Sequence, residues 1–311
     1  MKRVVLISLA LFHGQLFASL PQVSDLSKGI QLAQLYNRPL ILVFTGSDWC
    51  SWSQKVCKKL FESEEFSEAI GNNFIFVSLD FPTSVKVDAE KIEAKKQYGV
   101  TTFPTLLMLE PDGREVTRLS YSESSSDEFA HSLKQLFSKF ALLQEEVARV
   151  DLSSIEEKHL ESLYKEAVEI RCPSFISELL EKGLELGRGA FFPVEKYSQL
   201  ILEGKVDTPE AEKLKEEIVS LDRDNHEGAR LRLALLDFQS HQDDPDKAAK
   251  EPLSYLEEMG KTEDDNLWRL HRLISDYFSE HGRPEEAKEH AVKSAELQRV
   301  GSKIPASKGL Y

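Results

Sequence analysis

The chain has 311 residues, 41% of them hydrophobic and 30% charged, which fits two ordinary globular domains and not one small stapled scaffold. Its formal net charge of -14, with 39 Lys and Arg interspersed among 53 Asp and Glu, argues against a nucleic-acid surface, because phosphate binding needs clustered cations. Beyond the N-terminus no apolar stretch approaches the roughly 18 residues of a membrane span, and an odd count of three cysteines leaves at least one thiol without a partner in the chain.

Lys2 and Arg3 precede an apolar run from Val4 to Phe12, and Leu16 and Ala18 are spaced like the residues ahead of a cleavage site. The pattern predicts a secretory signal peptide over 1–18, cut after Ala18 or Ser19, with a buried first helix or strand as the alternative. No Cys lies just after the run, so no lipid anchor is indicated. Export would place the mature chain in a bacterial periplasm or outside the cell, where disulfides persist.

Ser24 is a candidate cap for a helix carrying Leu26, Ile30, Ala33 and Tyr36 on one face, stopped by Asn37, Arg38 and Pro39. Leu40 to Phe44 is a continuous apolar run, the signature of a strand buried on both faces. Thr45 to Asp48 break it, and a helix begins near Cys50 with Val56, Leu60 and Phe61 facing inward. Phe74 to Leu79 reads as a second central strand, and Asp88 to Tyr98 as a helix closed by Gly99. Thr105–Leu109 and Glu115–Leu119 form a hairpin around Pro111, Asp112 and Gly113. An amphipathic helix over about 126–147 completes a mixed sheet covered on both faces, an α/β domain over 19–148.

From about Asp151 strand signals cease, and 149–311 reads as an all-α domain broken at Cys172–Pro173, Gly187–Gly189 and Gly204. Thr208–Pro209–Glu210, Asp244–Pro245–Asp246 and Arg283–Pro284–Glu285 each place a proline at a helix start followed by an acid, at intervals of about 36 to 39 residues. Leu267 to Leu297 resembles one tetratricopeptide-type helical hairpin, and stacked hairpins are expected over an irregular bundle. Ser302 to Tyr311 reads as a loose tail.

The chemistry concentrates in Gly46-Ser47-Asp48-Trp49-Cys50-Ser51-Trp52-Ser53. A Cys at a strand-to-helix junction lies near unpaired N–H groups and the positive end of the helix dipole, so its thiolate is stabilised. Cys50 is therefore the candidate nucleophile. These residues resemble the thioredoxin superfamily, in particular exported domains with an Asp-Trp-Cys-x-Trp-Cys motif, over roughly residues 24–145. The resemblance implies a thioredoxin fold and thiol-disulfide exchange with protein substrates; no cofactor is expected, and the scattered histidines offer no pair at metal-ligand spacing. The segment Val100-Thr101-Thr102-Phe103-Pro104-Thr105 matches a second family feature, which implies that Pro104 is cis and that the peptide groups of Phe103 pair with an extended substrate.

The departures matter equally. Ser53 stands where the family has its resolving cysteine, so the domain is monothiol. Phe44 replaces a buried family acid that assists proton transfer. Cys57, seven residues along the same helix, is about 10 Å further up the axis, beyond disulfide reach, and reads as a small core residue; Cys172 reads as a lone structural thiol. Trp49 and Trp52 are candidate apolar rim residues that dock polypeptide, with Trp52 the more exposed. Ser53 is a candidate donor to the Cys50 sulfur or a solvated surface serine, and Asp48 a polar rim residue or a helix cap.

The expected activity is isomerisation, reduction or deglutathionylation of disulfides in exported cysteine-containing proteins. Glutathione or another small thiol, or a membrane reductase, would be the further partner. The helical half would recruit or orient clients. The alternatives are a non-catalytic peptide-binding or scaffold module, and a chaperone acting without thiol chemistry.

Overall fold

The structure, a computed structural model, describes residues 22–60, 62–121, 125–260 and 266–301. The expected signal peptide over 1–18, Phe61 and the expected tail over 302–311 lie outside the described residues. The chain divides into two compact units. One runs to Leu152 and includes Ser162–Glu178; the other comprises Ser153–Glu161 and the residues from Leu179 onward.

In the first unit the strands are β1 (Gln22–Val23), β2 (Leu40–Thr45), β3 (Ile75–Asp80), β4 (Thr105–Leu109) and β5 (Glu115–Leu119). They form one sheet in the order β1-β3-β2-β4-β5. The β1–β3 and β2–β3 pairs are parallel, and the β2–β4 and β4–β5 pairs antiparallel. Every residue of β2 is buried, as its unbroken apolar run requires. One sheet face packs Leu40, Leu42, Phe44, Val77, Leu79, Leu107 and Leu109 against α1 (Leu26–Tyr36) and α4 (Ala89–Gln97).

The helices around the sheet are those the apolar spacing predicts, with two differences. The cap of α1 is Asp25, not Ser24: the Asp25 carboxylate accepts the N–H of Lys28, and Ser27 Oγ donates to it as well. Between α2 (Ser51–Leu60) and β3 lies α3 (Glu64–Ile70), which the sequence reading omits. Ser63 caps it by accepting the N–H of Phe66, and Phe66 and Ile70 are fully buried. The long helix α5 (Ser126–Arg149) opens on a capping box formed by Ser125 and Glu128.

The remaining helices are α6 (Glu157–Glu169), α7 (Pro173–Leu186), α8 (Phe191–Leu202), α9 (Pro209–Leu221), α10 (Ala229–Ser240), α11 (Pro245–Met259), α12 (Leu267–Glu280) and α13 (Pro284–Gly301). Pro209, Pro245 and Pro284 each begin a helix, where a missing N–H costs nothing. In the second unit α8 packs on α9, α10 on α11 and α12 on α13. Gly183 on α7 admits the ring of Phe192, which would lie 2.1 Å from a Cβ at that position. Apolar clusters in this unit centre on Tyr197, Ile218 and Leu233 and on Tyr255, Leu270, Ile274 and Phe278.

Candidate active site

Cys50 ends the loop between β2 and α2. Its N–H donates to the carbonyl of Gly46 at 2.9 Å, which turns the chain into the helix and leaves Sγ at the N-terminal end. The first turn of α2 carries no acid, and Lys58 and Lys59 occupy its last turn, so the charges of this helix complement its dipole. The N–H of Ser53 donates to Sγ at 3.4 Å. Sγ–H in turn donates to the carbonyl of Phe103 at 3.5 Å, and the Phe103–Pro104 peptide is cis.

Ser53 is fully buried. Its hydroxyl oxygen accepts the N–H of Gly46 at 3.2 Å, so its own proton is free to point at sulfur, and the reading of Ser53 as a solvated surface residue is corrected. The hydroxyl of Ser53 is the largest influence holding the Cys50 thiol below its ordinary pKa; the N–H groups of Ser53 and Trp52 act in the same direction, and desolvation opposes them. This is the third of the ways a site shifts a titration, stabilisation of the anion by hydrogen bonds.

Trp49 is 49% exposed. Its indole N–H donates to the carbonyl of Phe81 at 2.8 Å and its ring stands edge-on to Phe103, centroids 5.4 Å apart. The ring covers Gly46 so closely that a Cβ there would lie 2.3 Å from it. Trp52 is half-buried, which reverses the expected order of exposure. It turns toward Tyr121, with ring centroids 6.3 Å apart, and Lys55 lies over it at 5.5 Å.

Asp48 caps no helix. Its carboxylate accepts the N–H of Thr83 at 3.0 Å, the N–H of Ser84 at 2.9 Å and the hydroxyl of Thr83 at 3.1 Å. Donation from the N–H of Thr83, and then of Ser84, holds its carboxyl below the usual carboxylate value. Ser47 is tied in parallel to Asp80, its N–H at 2.8 Å and its hydroxyl at 2.5 Å, and Thr45 Oγ1 donates to the same carboxylate at 3.0 Å. Residues 47, 48 and 49 are thus laced to residues 80–84, and the rim beside the thiol is built from two loops held as one.

Sequence reasoning places Cys50, Trp49, Phe103, Pro104 and Ser53 together, and the fold does bring them to one place. It misses Asp80, Phe81, Thr83 and Lys95. An acid at the last position of a central strand marks Asp80 in hindsight; nothing local marks Thr83 or Ser84, whose backbone N–H groups do the bonding together with the Thr83 hydroxyl. Phe44 is fully buried between Phe81 and Tyr98, with centroids 6.1 Å and 6.4 Å away.

The other thiols differ in kind from Cys50. Cys57 is half-buried, and desolvation, reinforced by the charges of Asp80 and Glu62, pushes its thiol up to about 11. Cys172 is fully buried, with its sulfur 3.3 Å from the hydroxyl of Ser174. Among the described residues no three His, Cys, Asp or Glu side chains converge as a metal site, and no helix is long and apolar enough to cross a membrane.

Comparison with known proteins adds to this geometry. Residues 26–137 match the family described as thioredoxin-like domain. Over 282 residues, 86% of this chain and 80% of the relative, the chain is 26% identical to the thioredoxin-related protein DsbJ of Chlamydia pneumoniae. A stretch of 117 residues is 28% identical to the disulfide bond reductase DsbH of the same organism, covering 36% of this chain and 70% of that protein. A solved structure titled DsbH oxidoreductase is 28% identical and covers 38% of this chain and 84% of its own, with a TM-score of 0.35.

Proposed function

We propose, on the premise that residues 26–137 are a domain of the thioredoxin superfamily, that the protein performs thiol-disulfide exchange on exported cysteine-containing proteins through Cys50 alone. One observation carries the reading: the Cys50 sulfur lies open at a helix N-terminus, receives hydrogen bonds from Ser53, and adjoins the cis Phe103–Pro104 peptide. Similarity to proteins named for disulfide chemistry supports it.

In the exchange the Cys50 thiolate attacks one sulfur of a client disulfide. A bond forms between Cys50 and that sulfur, the client S–S bond breaks, and the second client sulfur leaves as a thiolate carrying the electron pair. Ser53 has no sulfur with which to attack the mixed disulfide. Release follows by one of two routes. A client thiolate attacks the client sulfur of the linkage, forms a new client disulfide and returns the Cys50 thiolate, with no net oxidation. Alternatively, two small-thiol molecules act in turn. The first attacks Cys50 and frees the client as a dithiol; the second attacks the small thiol bound to Cys50 and leaves as its disulfide. Glutathione, or a membrane reductase in place of a small thiol, would fill the second role.

Trp49, Phe103 and Pro104 would hold the extended client, and Trp52 the flank nearer Tyr121. The helical segment from about 149 would recruit clients as stacked, tetratricopeptide-like hairpins. Export under the N-terminal segment 1–18 would deliver the chain to a periplasm or the exterior.

The test is the pH profile of Cys50 alkylation in protein carrying Cys57→Ala and Cys172→Ala, followed by glutathione-dependent rearrangement of a scrambled client. A midpoint well below the ~8.5 of a free thiol, with turnover lost in Cys50→Ser, is the expected result. A midpoint near that value, with client binding intact in Cys50→Ser, would replace this reading with the peptide-binding module. Suppression of client aggregation that is unchanged in Cys50→Ala would favour the chaperone.

A further inference from the structure

We propose that Lys95 is a specificity-determining residue that favours partners carrying a carboxylate beside the reacting sulfur; the proposal rests on the exchange reading above and names the chemistry of its partner. Lys95 projects from α4 with Nζ 5.2 Å from the ring centroid of Phe103 and 5.9 Å from that of Phe81. The same Phe103 ring meets Trp49 edge-on and Phe81 at 5.4 Å, and its own carbonyl is 3.5 Å from the Cys50 sulfur. The ammonium thus stands on the aromatic group that adjoins Pro104 and whose Phe103 carbonyl meets the Cys50 sulfur.

Among the described residues Lys95 makes no ion pair, although the chain carries a net charge of -14. A half-buried cation resting on two aromatic faces is held in place and partly desolvated, so an incoming anion is attracted more strongly than by a free surface lysine. The other charged groups on this rim are differently engaged. The Asp48 carboxylate is taken up by Thr83 and Ser84, and Lys55 lies over Trp52. Hydrogen bonds from Ser53 tune the thiol, so Lys95 acts on the incoming partner and not on the reactivity of Cys50. The carboxylate has two sources, an Asp or Glu beside a client cysteine or the carboxylates of a small thiol such as glutathione.

The experiment uses the full mature chain with Cys57→Ala and Cys172→Ala. Mixed-disulfide formation at Cys50 is timed by mass spectrometry with glutathione disulfide against cystamine, and with disulfide peptides flanked by Glu against Lys. Lys95 favours the anionic member of a pair by about threefold. The preference disappears in Lys95→Met, inverts in Lys95→Glu, survives Lys55→Met and weakens with salt. Preference in the peptide pair alone assigns the carboxylate to the client; preference in the small-molecule pair alone assigns it to the small thiol. An unchanged ratio in Lys95→Glu overturns the proposal. Alkylation by iodoacetate against iodoacetamide separates the two readings: if the wild-type chain forms no mixed disulfide, the exchange reading falls, and this ratio still decides the role of Lys95.

Discussion

Two polar networks, one around Cys50 and one around Asp237, use the same kinds of bond to opposite ends. Asp237 on α10 is 1% exposed. It accepts the hydroxyl of Tyr197 at 2.5 Å, lies 2.7 Å from Nζ of Lys215 and has His241 Nδ1 3.7 Å away. Burial, with the Asp237 contact added to it, pushes the Tyr197 phenol far above its ordinary value. This network closes on itself, and each charge is answered by protein. Around Cys50 the bonds run to Ser53 and to the Phe103 carbonyl, and the half-buried sulfur keeps an approach. The difference teaches that a satisfied polar group stabilises the molecule where water is excluded, and becomes a reagent where one side is left open.

The largest effect should follow from breaking the closed network. Asp237→Ala takes from Lys215 its buried partner, leaving only the exposed Glu212 at 3.1 Å, and takes from Tyr197 its acceptor, and should lower stability by about 3–5 kcal/mol. Thermal unfolding would register this loss while the alkylation midpoint of Cys50 stays in place. A shift in both would mean that the two networks are not separate.

Acid should act next on the helical unit. Nδ1 of His271 on α12 and Nδ1 of His290 on α13 lie 2.9 Å apart, both rings buried. Burial, then the neighbouring His290, lowers His271 to about 4, and burial lowers His290 too. Both folded values are depressed, so between about 6.5 and 4 the unfolded chain binds more protons. Stability is therefore full above the unfolded value and falls, by about 3 kcal/mol from His271 alone, as pH drops through that window. Denaturant melts from pH 7 to 4 should show the slope, and His271→Gln should flatten it.

On the open side the effects are smaller and chemical. Ser53→Ala removes the acceptor of the Gly46 N–H and the donor to sulfur together. The alkylation midpoint should rise, and stability should drop by about 1–2 kcal/mol; an unmoved midpoint would transfer the tuning to the helix dipole alone. Asp48→Ala should change least. It releases residues 83–84, and acrylamide quenching of Trp49, measured with Trp52→Phe and Trp268→Phe, should increase while the midpoint holds.

Much of the fold was legible because its signals are local. The β2 run, the Pro111-Asp112-Gly113 turn with Gly113 at φ 91°, and the prolines that open α9, α11 and α13 each act within a few residues. The short helix α3 was missed because seven residues carry only Phe66 and Ile70 as an apolar face. The two-residue β1 offers too little pattern to see. In the site, Cys50 and Phe103–Pro104 could be read as motifs. The grip of Asp48 on residues 83–84, the place of Lys95 and the meeting of His271 with His290 depend on elements brought together by packing, which no spacing along the chain records.

The buried oxygen of Ser53 has one more consequence. On the proposed exchange, a client joined to Cys50 would have no neighbouring sulfur at position 53 to cut it loose, so the lifetime of the linkage would be dictated from outside, by a second cysteine of the client or by the concentration of thiols in the surroundings. The domain would then behave less like a tool with its own cycle than like a clock wound by its compartment, holding clients long where thiols are scarce and briefly where they are abundant.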